Sequence, residues 1–321
     1  MSIEAVPGQN RTIAVRAEIT AARAPSVPAQ AYFAGSAVFH YLGPSFAVLL
    51  FARVDVLGVA WLRIASAAVV FALWRRPWRT FVALDSRGRT LVVALGAVFA
   101  VMNACFYVAI DHLPLATVAA IEFIGPIALA AAGARVGRNL AAVAAAAGGV
   151  YLLTHVRLVA EPIGVVFGFA NAGLFTAYIV LAHRVARRAA LNGLDGLAAA
   201  MVCAFVFVSP IGLAGAMHAF SEPVALAAGV GVGVSSSVIP YVFDQLAMRR
   251  LPRATYALFV ALLPATAAVV GVVVLRQLPS AVDLAGIALV MAGVALHRPE
   301  PVRAPPAAAR YPLSATSSSR K

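Results

Sequence analysis

The chain has 321 residues, of which 62% are hydrophobic and only 12% are charged, and its formal net charge is +13 at pH 7. Soluble globular domains are about one quarter charged, so this composition excludes an ordinary soluble protein and predicts an all-α integral membrane protein. The two cysteines, Cys105 and Cys203, lie inside apolar runs and offer neither a disulfide framework nor the spacing of a metal site.

Both ends of the chain differ from its middle in composition. Residues 1–28 are polar and lack an apolar segment of their own, and residues 298–321 are rich in Pro, Arg and Ser. Such segments cannot bury enough apolar surface to fold, so we expect both to be disordered cytoplasmic tails.

Between the tails, the chain is a succession of apolar runs. A membrane-spanning helix needs roughly 20 mostly apolar residues. By this criterion the sequence predicts ten transmembrane helices, at 29–51, 54–74, 90–110, 114–134, 139–154, 162–182, 195–216, 224–248, 254–275 and 279–297.

The basic residues alternate with these spans. If the N-terminus is cytoplasmic, most of the 25 Lys and Arg residues fall in cytoplasmic loops and tails, and only Arg53, Arg157 and Arg276 fall in outer loops. Because cytoplasmic loops carry the excess of Lys and Arg, this distribution predicts that both termini face the cytoplasm.

One phrase occurs twice. Residues 113–126 read LPLATVAAIEFIGP and residues 251–264 read LPRATYALFVALLP, and they begin the fourth and ninth predicted spans. With five spans in each half, the two copies enter the membrane from opposite sides. The sequence therefore predicts two inverted five-helix repeats, at 29–154 and 162–297, which is an architecture of transporters.

Apart from Asp55, Asp195 and Asp283 in the first residues of their spans, three charged residues fall within predicted spans: Arg63 in the second, Glu122 in the fourth and Asp244 in the eighth. Arg63 and Glu122 would each lie about 12–14 Å from the outer face at 1.5 Å per residue, which allows them to pair. A charge at this depth is costly and usually faces the bundle interior, either in a structural ion pair or in a substrate or ion pathway. Asp244 lies nearer the cytoplasmic end, where it could instead meet Arg249 or Arg250.

Uncharged polar residues lie in the same runs. Each one alone is more often an interhelical hydrogen-bonding group than a ligand contact, and a single histidine is more often structural than a proton carrier. Together they could line a small-molecule site with few polar groups. Those that we select for the pathway are His40, Asn103, Tyr107, Asn171 and Tyr241.

Helix-breaking residues and small residues mark other spans. Gly125, Pro126, Pro240 and Pro264 are predicted to break helices, either as gating hinges that free carbonyls or as inert kinks. The fifth and tenth spans are rich in Ala and Gly and poor in polar residues. They are therefore expected at the periphery of the bundle, where they could form a homodimer.

Several of these segments resemble the EamA family of the drug/metabolite transporter superfamily, and among its members the bacterial threonine/homoserine exporters. The resemblance is carried by RRPWR at 75–79, by MNACFYVAIDHLPLATVAAIEFIGPIALA at 102–130, by SSVIPYVFDQLAMRRLPRAT at 236–255 and by PATAAVVG at 264–271. It implies ten helices in an inverted repeat, with a central cavity lined by spans one to four and six to nine. It also implies export of an amino acid or related metabolite across the inner membrane.

The chain departs from those exporters at two places. Leu263 stands where they carry an acidic residue before the ninth-span proline, and Arg276-Gln277 stands where they carry Gly-Glu. Asp244 keeps the acid that the resemblance implies in the eighth span.

Three functions follow as alternatives. The first is a secondary transporter that exports a small amino-acid-like substrate, with Arg63 for the carboxylate and Glu122 for the amine or a coupled proton. The second is an exporter of drugs or other metabolites with the same fold. A membrane enzyme is disfavoured because the sequence has no HExxH or phosphate-binding loop. We expect no cofactor, no metal and no nucleic acid, and the bilayer and a small molecule as partners.

Overall fold

A computed structural model describes residues 28–133, 137–155, 157–186, 193–250 and 262–296. These residues are helical, with no strand among them. The elements are α1 (Ala29–Leu50), α2 (Val56–Arg75), α3 (Pro77–Ala83), α4 (Ser86–His112), α5 (Leu115–Gly133), α6 (Gly137–Thr154), α7 (Arg157–Ala160), α8 (Pro162–Ala186), α9 (Gly193–Ser221), α10 (Pro223–Gly233), a π-helical turn (Val234–Val238), α11 (Ile239–Arg250), α12 (Leu263–Leu275) and α13 (Ala281–Leu296).

Short polar signals set the ends of these helices. The Asp55 carboxylate accepts hydrogen bonds from the backbone N–H groups at the start of α2, and Asp85 does the same for α4. Arg76 and Arg276 take left-handed backbone conformations, with φ of 49° and 55°, and end α2 and α12. The RRPWR motif is thus a junction, because Arg76 separates α2 from the short helix α3.

Six helices of the described residues are long and apolar enough to cross a membrane. They are Ala29–Leu50, Val56–Arg75, Ser86–His112, Pro162–Val185, Leu194–Ser221 and Pro223–Asp244, and they coincide with the predicted spans one to three and six to eight. Leu115–Leu129, Leu263–Leu275 and Ala281–Leu296 are shorter apolar helices within the predicted spans four, nine and ten. The second copy of the repeated phrase lies largely in 251–261, outside the described residues.

The helices enclose one main hydrophobic core. Its buried residues come mainly from α2, α4 and α5. Met201, Val208 and several alanines of α9 pack beside them. Large apolar side chains such as Leu73, Val166, Val206 and Val273 are instead exposed on the outside of the bundle. Apolar residues over much of the outer surface are what a bilayer environment requires, since contiguous apolar surface of this kind is rare on soluble monomers.

The small-residue helices α6 and α13 pack on each other within one chain. A Cβ at Gly149 would lie 2.5 Å from the Gly286 carbonyl oxygen, and one at Gly293 would lie 2.7 Å from that of Ala142, so the backbones meet closely. The face that suggested a homodimer is therefore used inside the chain. A Cβ added at Gly148 would have nothing within 4 Å, so this face of α6 is open within the chain. A homodimer that packs through an open face of this kind stays a prediction.

Ion pairs within the described ranges lie at the ends of the bundle. Three pairs share the end where α1 and α4 finish: Arg53 with Glu222, His112 with Glu161, and Arg157 with Asp283. Arg75 and Asp195 pair at the opposite end, at 2.6 Å. Of the three pairs at the first end, Arg53–Glu222 links the two halves, and the other two join Glu161 and Arg157, from the segment between the halves, to α4 and α13.

Candidate functional site

Arg63 and Glu122 lie in the interior of the bundle, as expected for charges within apolar helices. Arg63, in the middle of α2, is 6% exposed, and Glu122, in the middle of α5, is 7% exposed. A buried charge is tolerated only where hydrogen bonds replace its water. The partners of these two residues therefore define the site.

Arg63 is held by the π-helical turn between α10 and α11. Its Nε donates to Ser237 Oγ at 3.0 Å and its Nη2 donates to the Ser236 carbonyl oxygen at 3.2 Å. π-Helical turns are rare and recur at functional sites. Here the turn presents a side-chain and a main-chain acceptor to the same guanidinium.

Two glycines allow the turn to approach this closely. A Cβ at Gly43 of α1 would lie 2.8 Å from the Ser236 nitrogen, and a Cβ at Gly233 would lie 2.6 Å from the Arg63 carbonyl oxygen. Both distances are shorter than real Cβ atoms show. Larger residues at these positions would push the turn away from α1 and α2.

Tyr107 of α4 lies beneath Arg63. The guanidinium carbon is 5.5 Å from the centroid of the Tyr107 ring, within the range of a cation–π contact. The Tyr107 side chain is fully buried, yet its hydroxyl has no hydrogen-bond partner in the part of the chain that the structure describes. This hydroxyl lies beside the Arg63 guanidinium and Ser236 but outside hydrogen-bonding geometry, and it is a group that a ligand could bond.

Glu122 is held by Asn171 of α8. The Asn171 Nδ2 donates to Glu122 Oε1 at 3.2 Å, and Asn171 is fully buried. Its Oδ1 has no partner among the described residues. The amide thus binds the carboxylate through one end and leaves an acceptor at the other.

The structure does not join Arg63 and Glu122 in an ion pair: no N–O distance of 4.0 Å or less links them among the described residues, although their charges are close enough to attract. The choice between a structural pair and a role in a substrate or ion pathway stays a prediction. Each residue is instead hydrogen-bonded to the second half of the chain, Arg63 to the π-helical turn and Glu122 to Asn171.

The other residues selected from the sequence contact different neighbours. Asn103 is buried, and its side chain donates to the Phe99 carbonyl of its own helix at 2.8 Å. This bond gives Asn103 a structural role in its helix in place of a contact with a ligand. His40 is half-buried and packs edge-to-face against the Tyr41 ring, with ring centroids 5.4 Å apart. Tyr241 contacts Phe99, with ring centroids 6.1 Å apart.

Asp244 lies in the middle of α11 and contacts α1. Ser36 Oγ donates to Asp244 Oδ1 at 2.6 Å. The alternative partners Arg249 and Arg250 have side chains outside the described residues. Asp244 is thus a contact between the two halves, like Glu122 with Asn171.

The helix-breaking residues have separate roles. Pro126 lies inside α5, and the backbone of Gly125 is close to α8, because its added Cβ would be 2.9 Å from the Ala172 carbonyl oxygen. The Pro240 carbonyl, just after the π-helical turn, accepts from Ser36 Oγ at 3.2 Å. Pro264 lies in the first turn of α12, so it stands at the start of a described helix.

The sequence reasoning did not select the residues that hold Arg63. The run Ser235-Ser236-Ser237 is visible in the sequence, but serines in apolar helices usually bond their own backbone, as Ser235 does to the Gly231 carbonyl at 2.7 Å. The signal that could have identified these serines is the buried Arg63, which needs hydrogen-bond acceptors from a neighbouring helix.

The chain is similar in sequence to known transport proteins. Residues 162–297 match the EamA-like transporter family. The chain is 29% identical to the threonine/homoserine exporter RhtA of Escherichia coli K12 over 260 residues, which cover 78% of this chain and 84% of that protein. It is 28% identical over 257 residues, with the same coverage, to RhtA of Salmonella typhimurium LT2. The family and these relatives are transporters.

Proposed function

We propose that this chain, which carries an EamA-like transporter domain, is a secondary transporter of the bacterial inner membrane that exports a small amino acid such as threonine or homoserine. The similarity to RhtA supports the substrate class. The buried arrangement of one cation, one carboxylate and two unsatisfied polar atoms supports it independently.

The proposed architecture is ten spans in two inverted five-helix repeats, 29–154 and 162–297. Helix contacts support it, because contacts between the halves come in matching pairs when the first five spans are exchanged for the last five. The third span packs on the sixth as the eighth packs on the first. The third span also packs on the seventh, and the eighth span packs on the second in the same way. The fourth span packs on the sixth, and the ninth span packs on the first in the same way.

We further propose that both termini face the cytoplasm. The distribution of Arg and Lys supports this orientation. The end that carries the Arg53–Glu222, His112–Glu161 and Arg157–Asp283 pairs is then the outer end. These pairs must loosen for a substrate to leave outward by alternating access.

In the proposed site, Arg63 binds the substrate carboxylate. Arg63 has donors beyond the two that bond the π-helical turn, and a planar guanidinium can bind a carboxylate through two parallel hydrogen bonds. The ring of Tyr107 on one side of Arg63 limits the approach, and its free hydroxyl is placed to bond the carboxylate or a side-chain hydroxyl.

Glu122 and Asn171 bind the substrate ammonium group. The Glu122 carboxylate supplies the charge and the unpartnered Asn171 Oδ1 supplies a neutral acceptor. The same carboxylate is the group through which a proton would couple to transport when substrate has left. The single observation that carries the proposal is the pair of orphaned buried atoms, Tyr107 Oη and Asn171 Oδ1, beside opposite buried charges.

Purified full-length protein reconstituted in proteoliposomes tests this function. Vesicles loaded with radiolabelled threonine or homoserine are expected to release it in a protein-dependent manner, and Arg63→Gln is expected to abolish release. Arg87→Gln is the matched control, because Arg87 is an exposed residue at the start of α4, outside the site and the outer ion pairs. Vesicles that retain both amino acids but release a lipophilic cation would instead support the drug-exporter alternative.

A further inference from the structure

A cavity lies at the end of the bundle that we propose to be outer. Its volume is about 260 Å³, and it is enclosed by the start of α5, the last turns of α12, the loop 276–280 and the start of α13. Pockets for drug-sized ligands run from about 300 to 1,000 Å³, so this one suits a smaller molecule. The repeated phrase contributes Pro114 and Thr117 to its wall.

Four polar side chains line this cavity: Thr117, Arg157, Gln277 and Asp283. Arg157 and Asp283 form a loose ion pair, with Nη2 at 3.2 Å from Oδ1 and 3.4 Å from Oδ2. Asp283 is fixed from behind, because the backbone N–H and hydroxyl of Ser280 both donate to its Oδ2 at 2.9 Å. The carboxylate is therefore held in place whether or not Arg157 stays beside it.

Gln277 is oriented by the start of α5. Its Oε1 accepts from the Leu115 backbone N–H at 3.1 Å, and Gly271 leaves the room for this contact, since an added Cβ would lie 3.2 Å from the same oxygen. The amide nitrogen at the other end of this side chain is left as a donor. The cavity thus presents a cation, an anion and an amide, as a zwitterion would require.

The cavity is close to the proposed central site. Thr117 and Glu122 lie five residues apart on the same helix, which corresponds to about 7.5 Å along its axis. Five residues correspond to a rotation of about 140° around the helix, so Thr117 and Glu122 lie on different sides of α5. The cavity is therefore close to the central site in depth and separate from it.

We propose that this cavity is a second binding site for a small zwitterionic amino acid, occupied on the outward side of the central site. The ligand inserts into the loose ion pair, with its carboxylate on Arg157 and its ammonium group on Asp283, and Gln277 and Thr117 contact its polar side chain. The proposal rests on the proposed function for the identity of the ligand class, and it assigns residues that the central site does not use.

Equilibrium dialysis of the purified full-length protein against radiolabelled homoserine tests the proposal. The wild type is expected to bind a second equivalent of ligand beyond the first. Arg157→Gln combined with Asp283→Asn keeps the shape of the pair without its charges and is expected to remove one equivalent, and Arg63→Gln is expected to remove the other. Asp111→Asn, a charge change at an exposed position at the same end of the bundle and outside the cavity, is the control and should keep both.

The outcomes separate the two proposals. A single equivalent that is lost in Arg63→Gln and kept in the Arg157/Asp283 variant overturns the second site and leaves the proposed function intact. A single equivalent that is lost in the Arg157/Asp283 variant and kept in Arg63→Gln supports the cavity and overturns the central site. No binding to the wild type overturns both. Thr117→Val, which keeps the volume, should weaken only the second equivalent, and this provides an answer if the double variant does not fold.

Discussion

Arg63 of α2 and Ser237 of the π-helical turn are joined by a hydrogen bond of 3.0 Å between Nε and Oγ, which links the two halves of the chain at their centre. The Ser236 carbonyl accepts from Nη2 of the same guanidinium. The orientation of Arg63 is thus set by a helix of the other half. A movement between the halves changes the direction in which this charge points.

Ser237→Ala is expected to raise the KM for the exported amino acid about tenfold with little change in the maximal rate. A hydrogen bond to a charged group contributes about 1.5–3 kcal/mol, and about 1.4 kcal/mol corresponds to a factor of ten in affinity. The measurement is initial-rate efflux from proteoliposomes over a range of internal substrate concentrations.

Ser235→Ala is the matched control for Ser237→Ala, because Ser235 lies in the same turn but bonds only its own helix. It should leave KM unchanged, and Ser237→Thr should restore it. Equal effects of the Ser235 and Ser237 variants would mean that the turn needs serines for its own stability and that the contact with Arg63 does not position the charge.

Glu122→Gln is expected to lower transport at least about tenfold while the yield of folded protein is maintained. Gln keeps the shape and can still bond Asn171, but it lacks the charge that binds an ammonium group or carries a proton. Efflux and size-exclusion profiles are measured together, with Asp111→Asn, an exposed acid at the end of α4, as the control. Wild-type efflux by the Gln variant would remove Glu122 from the mechanism.

Much of the helical architecture could be predicted from the sequence. Long apolar runs must form helices in a bilayer because every backbone polar group has to be bonded internally, and α1, α2, α4, α8 and α9 lie within a few residues of the predicted spans one, two, three, six and seven. The burial of Arg63 and Glu122 followed from the same argument, since a charge in such a helix cannot face lipid cheaply.

The partners of these charges could not be predicted in the same way. Depth along a helix follows from counting residues, but the direction in which a side chain points depends on how each helix is rotated and which neighbour it meets. Arg63 and Glu122 share a depth and still bond Ser237 and Asn171 in place of each other. The π-helical turn, which adds a residue to one turn and so rotates everything after it, has no distinct sequence pattern.

The two buried asparagines should behave differently when truncated. Asn171→Ala is expected to raise KM about tenfold, because it removes the unpartnered Oδ1 and the donor to Glu122. Asn103→Ala removes only a bond to the Phe99 carbonyl of its own helix and should leave KM within about twofold, with a loss of about 1 kcal/mol in stability. Kinetics and thermal unfolding of both variants are compared. A larger rise in KM for the Asn103 variant would place that residue at the substrate.

Adjacent glycines of α6 provide a test of the contact between α6 and α13. Gly149→Ala is expected to destabilise the protein by about 1–3 kcal/mol, because its Cβ would lie 2.5 Å from the Gly286 carbonyl oxygen and the helices would have to separate. Gly148→Ala meets nothing within 4 Å and should be neutral or stabilising by about 0.5–1 kcal/mol, since Ala is the better helix former. Thermal unfolding in detergent measures both. A loss of stability in Gly148→Ala equal to that in Gly149→Ala would show that the outward face of α6 is also covered, as a homodimer through this helix requires.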